Sequence, residues 1–191
     1  MKRLSFSDTG LKYALSPYDE PVAQVKPGET IILETEDACS GQIRKKGDYR
    51  DRGKIPYGNP VIGPIYVEGA EKGNTLAVLI TEIKPSIGQG VTYLSEFNES
   101  YITSPPVFKF MKVSLPREPR ICRIKDGVVY FSDQIAIPYQ PMVGTIGVTP
   151  FLEAESISSG VLPGRHGGNM DLPDVAPSST IFLPVYHKGA L

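Results

Sequence analysis

Ile121-Cys122-Arg123-Ile124-Lys125-Asp126-Gly127-Val128-Val129-Tyr130-Phe131 is the stretch from which the fold class is read. Two runs rich in β-branched and aromatic residues flank Asp126-Gly127. That dipeptide suits the positive φ angles of a type I′ turn, whose twist matches two antiparallel strands, so the segment predicts a β-hairpin. Working outward, residues 30–35, 75–83, 107–113 and 181–186 are also rich in β-branched or aromatic side chains and read as strands. The run at 107–113 alternates apolar and basic residues, as a half-exposed strand should. Two strand entries look alike, Lys26-Pro27-Gly28-Glu29-Thr30 and Glu71-Lys72-Gly73-Asn74-Thr75, though the match is too short to define a repeat. With 18 Pro and 19 Gly breaking the chain every few residues, helical periodicity beyond two turns is hard to find. Short helical turns are expected only near 92–99 and 151–156. The expected fold is mainly β, sandwich- or barrel-like.

The 191 residues suit one medium domain or two small, intimately packed ones. A linker-like run, Lys84-Pro85-Ser86-Ile87-Gly88-Gln89-Gly90, suggests a boundary that gives a β subdomain over 1–84 and a second over 85–191. Twenty Lys and Arg against 21 Asp and Glu give a net charge of −1, which favours a neutral small substrate over nucleic acid or an anionic membrane surface. The longest apolar runs, such as 76–80, are far too short to span a bilayer, and the basic first residues lead into no apolar stretch of a secretory signal. Two cysteines, Cys39 and Cys122, then read as free thiols in a reducing cytoplasm.

The densest chemistry is Gly164-Arg165-His166-Gly167-Gly168-Asn169-Met170-Asp171, which sets one of only two histidines, an amide and a carboxylate among glycines. On a strand, His166 and Asp171 would face opposite sides, so their convergence needs a folded loop, which the glycine pair permits. Imidazole and carboxylate are both zinc ligands. The competing reading is an ordinary glycine-rich surface turn with a solvated histidine. Asp37, in Asp37-Ala38-Cys39-Ser40-Gly41-Gln42-Ile43, is either a carboxylate reaching a site from a strand end or, more commonly for Asp, a cap on its own turn. Cys39 reads as a small buried residue rather than a nucleophile. Residues 59–70 and 140–150 are apolar and rich in Gly and Pro, fit either for edge packing or for lining a small pocket with backbone N–H groups.

Four of these stretches carry a resemblance. Asp37-Ala38-Cys39-Ser40-Gly41-Gln42-Ile43, Asn59-Pro60-Val61-Ile62-Gly63-Pro64, Gly144-Thr145-Ile146-Gly147-Val148 and Arg165-His166-Gly167-Gly168-Asn169-Met170-Asp171 occur in the order found in the acetamidase/formamidase family. The chain resembles the N-terminal part of that family from Tyr18 onward. The resemblance implies hydrolysis of short carboxamides to carboxylate and ammonia at a metal-assisted site. It places His166 and Asp37 as ligands of a divalent metal, zinc first, and Asp171 as a ligand or the carboxylate that orients His166. It further suggests Glu153 as general acid or base and Asn169, Gly144, Gly167 and Gly168 as substrate contacts. A bound zinc lowers the pKa of its water from about 15.7 to about 7, whereas a serine nucleophile would need a Gly-x-Ser-x-Gly setting that this sequence lacks.

The resemblance also implies a further segment, with a Gly-Asp-x-His-Ala-x-Gln-Gly-Asp-Gly-Glu pattern, that follows a stretch like Gly189-Ala190-Leu191. His187 reads as a solvated surface histidine at a strand end, not as a replacement ligand. The expected partners are therefore a small amide together with a second copy of the chain, a complementing C-terminal polypeptide, or both. A truncated non-catalytic β module, one subunit of a split amidase, and a ligand-binding sandwich are the alternatives.

Overall fold

A computed structural model describes residues 1–93, 118–151, 155–160 and 163–191. The strand expected at 107–113 lies outside them, as do most of the helical turn expected at 92–99 and the centre of the one expected at 151–156. Among the described residues the only helix is one turn, α1 (Phe6–Thr9), capped by the Ser5 hydroxyl and ended at Gly10 with φ 76°. The rest of the described regular structure is strand, as the density of turns predicts, and among the described residues no barrel closes. No described helix is long and apolar enough to cross a membrane.

The chain divides into two units. One contains Met1–Gly41, Arg52–Lys84 and Gln140–Leu191; the other contains Gln42–Asp51 and Pro85–Tyr139. A segment of the second unit begins at Pro85, but residues 140–191 group with the N-terminal part and residues 42–51 with the second unit, so the two units interleave along the chain where consecutive blocks 1–84 and 85–191 were expected. Chain continuity suggested two consecutive blocks because a linker-like sequence marks where the chain leaves a unit, not whether it returns.

The second unit contains the hairpin. β8 (Arg120–Lys125) and β9 (Val128–Tyr130) pair antiparallel through Asp126, φ 52°, and Gly127, φ 75°, the pair of positive angles that a type I′ turn demands. β7 (Gln89–Thr92) and β10 (Ala136–Pro138) flank them, giving an antiparallel sheet in the order β10-β9-β8-β7. Arg123 lies over the ring of its cross-strand partner Tyr130 at 4.7 Å, a cation–π pair that favours this register. Cys122 is buried within β8, and that burial pushes its thiol pKa up, leaving it an unreactive neutral group.

The first unit is built from paired strands. β1 (Lys2–Leu4) runs parallel to β4 (Ile31–Leu33), and β3 (Ala23–Val25) runs parallel to β5 (Ile65–Val67). Antiparallel pairs join β2 (Ala14–Leu15) to β12 (Ile157–Ser158), β6 (Thr75–Leu79) to β14 (Thr180–Pro184), and β11 (Thr145–Gly147) to β13 (Gly167–Asn169). The two similar strand entries fold alike. Glu29 N–H closes on Lys26 O at 3.0 Å and Asn74 N–H on Glu71 O at 3.0 Å, with Gly28 and Gly73 at φ 83° and 92°.

The core of this unit is Val148, Leu183, Val185 and Ala190, with Leu76, Ile146, Ile181 and Tyr186 packed around them. Each fully buried Val or Leu contributes about 1.5–3 kcal/mol of transfer free energy, so this cluster anchors both β14 and the segment after β11. The residues after β14 belong to it: the Thr149 N–H and hydroxyl both donate to Leu191 O, the hydroxyl at 2.6 Å. His187 is half-buried, its Nε2 2.8 Å from Pro150 O, so the solvated surface histidine expected there is instead a tether. The sequence shows Lys188 beside it and suggests solvent; the fold brings Pro150 over it.

Glycine has two separable roles here. A Cβ on Gly127 would meet nothing within 4 Å but would sit at φ 75°, whereas one on Gly147 would lie 2.7 Å from His166 O and 2.9 Å from Gly168 N. Gly127→Ala should therefore cost about 1–2 kcal/mol through backbone strain, and Gly147→Ala about 3 kcal/mol through overpacking. Urea unfolding followed by circular dichroism should rank them in that order, and equal losses would show that the approach at Gly147 is easily relaxed.

Candidate functional site

His166 sits at the corner of a turn whose ends are both closed: Gly164 N–H donates to Gly167 O at 2.9 Å and Gly167 N–H to Gly164 O at 3.0 Å. The peptide then continues as β13, where Gly167 and Gly168 hold φ 89° and 98°. These angles exclude most side chains, and space excludes them too, since a Cβ on Gly167 would collide with Ile146 O and lie 3.1 Å from Leu183 Cδ2. The His166 carbonyl accepts the Val148 N–H at 2.9 Å, which ties the turn directly to the core. The imidazole lies between two more glycines: a Cβ on Gly164 would be 3.0 Å from Nδ1 and one on Gly168 3.0 Å from Nε2.

The ring is buried, and Nε2 has no hydrogen-bond partner among the described residues. Burial holds the imidazole pKa below its ordinary value of 6.5, and the nearby Glu155 carboxylate only partly opposes this. His166 is therefore neutral at pH 7, the state in which an imidazole can bind a metal or take up a proton. A buried ring nitrogen without a partner is costly in an ordinary core and is the donor a cation would use. His166 fits a metal-ligand role on that ground.

The polar cluster beside it is organised by Asn59, a residue at φ 52° in the half-buried 59–70 stretch. Its side-chain amide donates to Asn169 Oδ1 at 2.8 Å, and the Thr145 hydroxyl donates to the same oxygen at 2.8 Å. The Asn59 N–H donates to Ala38 O at 3.1 Å, and its carbonyl accepts the buried Ser159 hydroxyl at 2.6 Å. One residue thus joins the Asp37 turn to β13, two segments about 130 residues apart in sequence. Asn169 is left with its Oδ1 doubly occupied and its NH₂ group without a partner among the described residues. Sequence reading singled out Asn169 but treated Asn59 as part of an apolar stretch and passed over Thr145 and Glu155. The available signal was a lone amide before Pro60, tolerant of positive φ.

The carboxylates are placed less centrally. Asp37 Oδ1 accepts the N–H groups of Cys39 at 2.8 Å and Gly41 at 3.2 Å, which is the turn cap that competed with the ligand reading. Asp171, exposed and at φ 47°, donates its N–H to Gly144 O at 3.0 Å, and a Cβ on Gly144 would lie 2.7 Å from its Oδ1. Glycine at 144 makes room for this carboxylate, and no hydrogen bond joins Asp171 to His166. The Gly167 N–H is committed to Gly164, and the Gly144 carbonyl accepts from both Met170 and Asp171. Glu153 lies outside the described residues. Among the described residues no three His, Cys, Asp or Glu side chains group around one point.

This geometry defines a β protein in which one turn and the strand that follows it carry a clamped neutral histidine and, three residues on, a fixed asparagine. Its relatives make the definition narrower. Residues 14–160 match the Acetamidase/Formamidase family, and the chain belongs to that family. It is similar to the solved acetamidase from Bacillus halodurans, at 33% identity and TM-score 0.82 over 99% of this chain and 59% of that one. The acetamidase from Yersinia enterocolitica gives 30% identity and TM-score 0.81 over 99% and 57%. A predicted acetamidase/formamidase from Thermoanaerobacter tengcongensis gives 34% identity and TM-score 0.81 over 100% and 58%. A gamma lactamase from Delftia acidovorans, 18% identical with TM-score 0.72, shares the fold. The chain thus spans less than three-fifths of the solved acetamidases it matches. No curated protein matches it in sequence.

The burial of His166 has a pH signature. Its folded pKa lies below 6.5, so as pH falls the unfolded chain takes up the imidazole proton first. Its neutral burial is fully compatible with folding above about pH 6.5, and stability is lost as pH falls from there toward the folded pKa, below which the loss levels off. With only two histidines in the chain, proton NMR of wild type and His187→Gln should assign a His166 resonance that titrates below 6.5. In His166→Gln this part of the acid destabilisation should vanish. A His166 titration at or above the ordinary value would show that the ring is not desolvated.

Proposed function

We propose that this chain supplies the histidine part of an amidohydrolase site that cleaves short carboxamides of the formamide and acetamide kind to carboxylate and ammonia. The observation that carries the reading is the buried Nε2 of His166, which has no hydrogen-bond partner among the described residues, in a chain of this family. Amide hydrolysis needs a nucleophile, a donor to the developing oxyanion and a proton for the departing amine. Asn169 suits the second task, because two donors hold its oxygen and fix the plane in which its N–H groups lie. His166, neutral at pH 7, suits binding of a divalent cation or proton transfer.

The cofactor consistent with this donor set is a divalent metal, zinc first, held by His166 with Asp37 and Asp171 as the carboxylates on offer. Such an ion would supply hydroxide at neutral pH and polarise the amide carbonyl. Glu155 extends the acid–base assignment first given to Glu153, because its charge acts on the His166 imidazole. The proposed partners are the small amide and, for self-association or complementation, a second copy of the chain or a polypeptide supplying the part of the solved acetamidases outside the match.

Ammonia release from formamide and acetamide with added Zn²⁺ tests the reading, using the chain alone and co-expressed with the unmatched part of the Bacillus halodurans acetamidase. Turnover is expected only from the pair. His166→Ala should lower it by at least about 10²-fold with an unchanged circular dichroism spectrum. Equilibrium dialysis should show zinc uptake lost in the same variant. Turnover and zinc uptake both indifferent to His166→Ala would remove this histidine from the mechanism.

A further inference from the structure

Asn169 is held by one end only. Its Oδ1 accepts the Asn59 side-chain N–H at 2.8 Å and the Thr145 hydroxyl at 2.8 Å, while its NH₂ meets no partner among the described residues. The two ends of a carboxamide have nearly the same size and shape, so hydrogen-bond polarity decides which end is held and which is left for a ligand. A hydroxyl can donate or accept, so Thr145 suits Asn169 in either orientation. A carboxamide N–H can only donate. The Asn59 NH₂ is therefore the group that selects the oxygen of Asn169 and leaves its NH₂ uncommitted.

The Asn59 backbone is anchored so that this amide keeps its aim. Its N–H donates to Ala38 O at 3.1 Å, and its carbonyl accepts the Ser159 hydroxyl at 2.6 Å. Gly160 packs against the same turn, where a Cβ would come 3.4 Å from Gly58 O and 3.8 Å from Asn59 Cβ. The φ of 52° at Asn59 lies in the left-handed region, which Asn and Asp enter more readily than most residues with a side chain. Position 59 thus joins a backbone that few residues adopt to a side chain that must donate. An Asp there would keep the shape and the backbone and lose the donor.

We propose that Asn59 is a positioning residue that sets the polarity of Asn169, so that the ligand atom meeting Asn169 is a hydrogen-bond acceptor: the carbonyl oxygen of a neutral amide and the oxyanion that forms from it. The ligand class rests on the amidohydrolase reading above; the polarity rests on the two hydrogen bonds alone. An oxyanion accepts more strongly than a carbonyl oxygen, so a correctly turned NH₂ acts mainly in the transition state. A flipped amide would set Oδ1 against that charge.

Side-chain amide exchange, read by nitrogen-15 NMR, tests the polarity without reference to catalysis, because the chain has only four asparagines, Asn59, Asn74, Asn98 and Asn169. In wild type the side-chain amide protons of Asn59 should exchange at least about tenfold more slowly than those of Asn169. Asn59→Asp offers Asn169 an acceptor in place of a donor, so the Asn169 amide should flip and its protons slow by at least about tenfold. Asn169 protons already slow in wild type, or unchanged in Asn59→Asp, would overturn the proposal. Acetamide turnover tests the consequence, using the chain co-expressed with the unmatched part of the Bacillus halodurans acetamidase. Asn59→Asp should lower kcat by at least about 10²-fold with KM little changed. Thr145→Val removes the second donor and should lower kcat by about tenfold, and Thr145→Ser should restore it. A fall in kcat accompanied by loss of the circular dichroism spectrum in Asn59→Asp would make Asn59 a structural residue only and overturn the positioning role. Unchanged kcat in Asn59→Asp, in a pair that His166→Ala inactivates, would overturn that role while leaving the proposed function standing. A pair inactive in every form, with the exchange pattern as expected, would remove the proposed function and support the polarity of Asn169.

Discussion

The close approach of β13 to β11 is the constraint on which the polar centre depends. Gly147 meets the His166 carbonyl and the Gly168 N–H at distances no side chain could share, and Gly167 rests on Ile146 and Leu183. Because the same carbonyl accepts the Val148 N–H, the histidine turn is fixed to the core by backbone alone. Glycine contributes little to a core by its own burial. Here it permits a backbone contact that a larger residue would push apart, and the imidazole fills the space left between Gly164 and Gly168.

That arrangement explains how a buried histidine remains chemically available. The ring is held by surrounding backbone rather than by hydrogen bonds, so its burial lowers its basicity and leaves Nε2 uncommitted. Asn169 is treated in the opposite way: two donors fix its oxygen, which makes the remaining NH₂ the group with capacity to spare. The one group is left as a neutral nitrogen acceptor and the other as an oriented amide donor.

Asn59 extends the same logic across the unit. Through backbone and side chain it contacts the Asp37 turn, the Ser159 hydroxyl and β13, so loops that carry polar residues are fastened to one another rather than left to solvent. A network of this kind rigidifies a site when its members are satisfied, and among the described residues the Asn169 NH₂ and His166 Nε2 keep spare capacity. Asp37 shows the distinction well, because a carboxylate whose oxygen caps its own turn is a positioning group first.

By itself the sequence determined the β class, the type I′ hairpin at Asp126-Gly127, the strands now seen as β4, β6 and β14, and the prominence of the Arg165 to Asp171 stretch. These follow from local rules: turn chemistry, β-branched runs and the conformational demands of consecutive glycines. The return of residues 140–191 to the N-terminal unit, the hub role of Asn59, the tether at His187 and the influence of Glu155 on His166 were decided only by tertiary structure. Each depends on which distant segment arrives beside a residue. A side chain's burial and partners come from such long-range meetings, and no local periodicity encodes them.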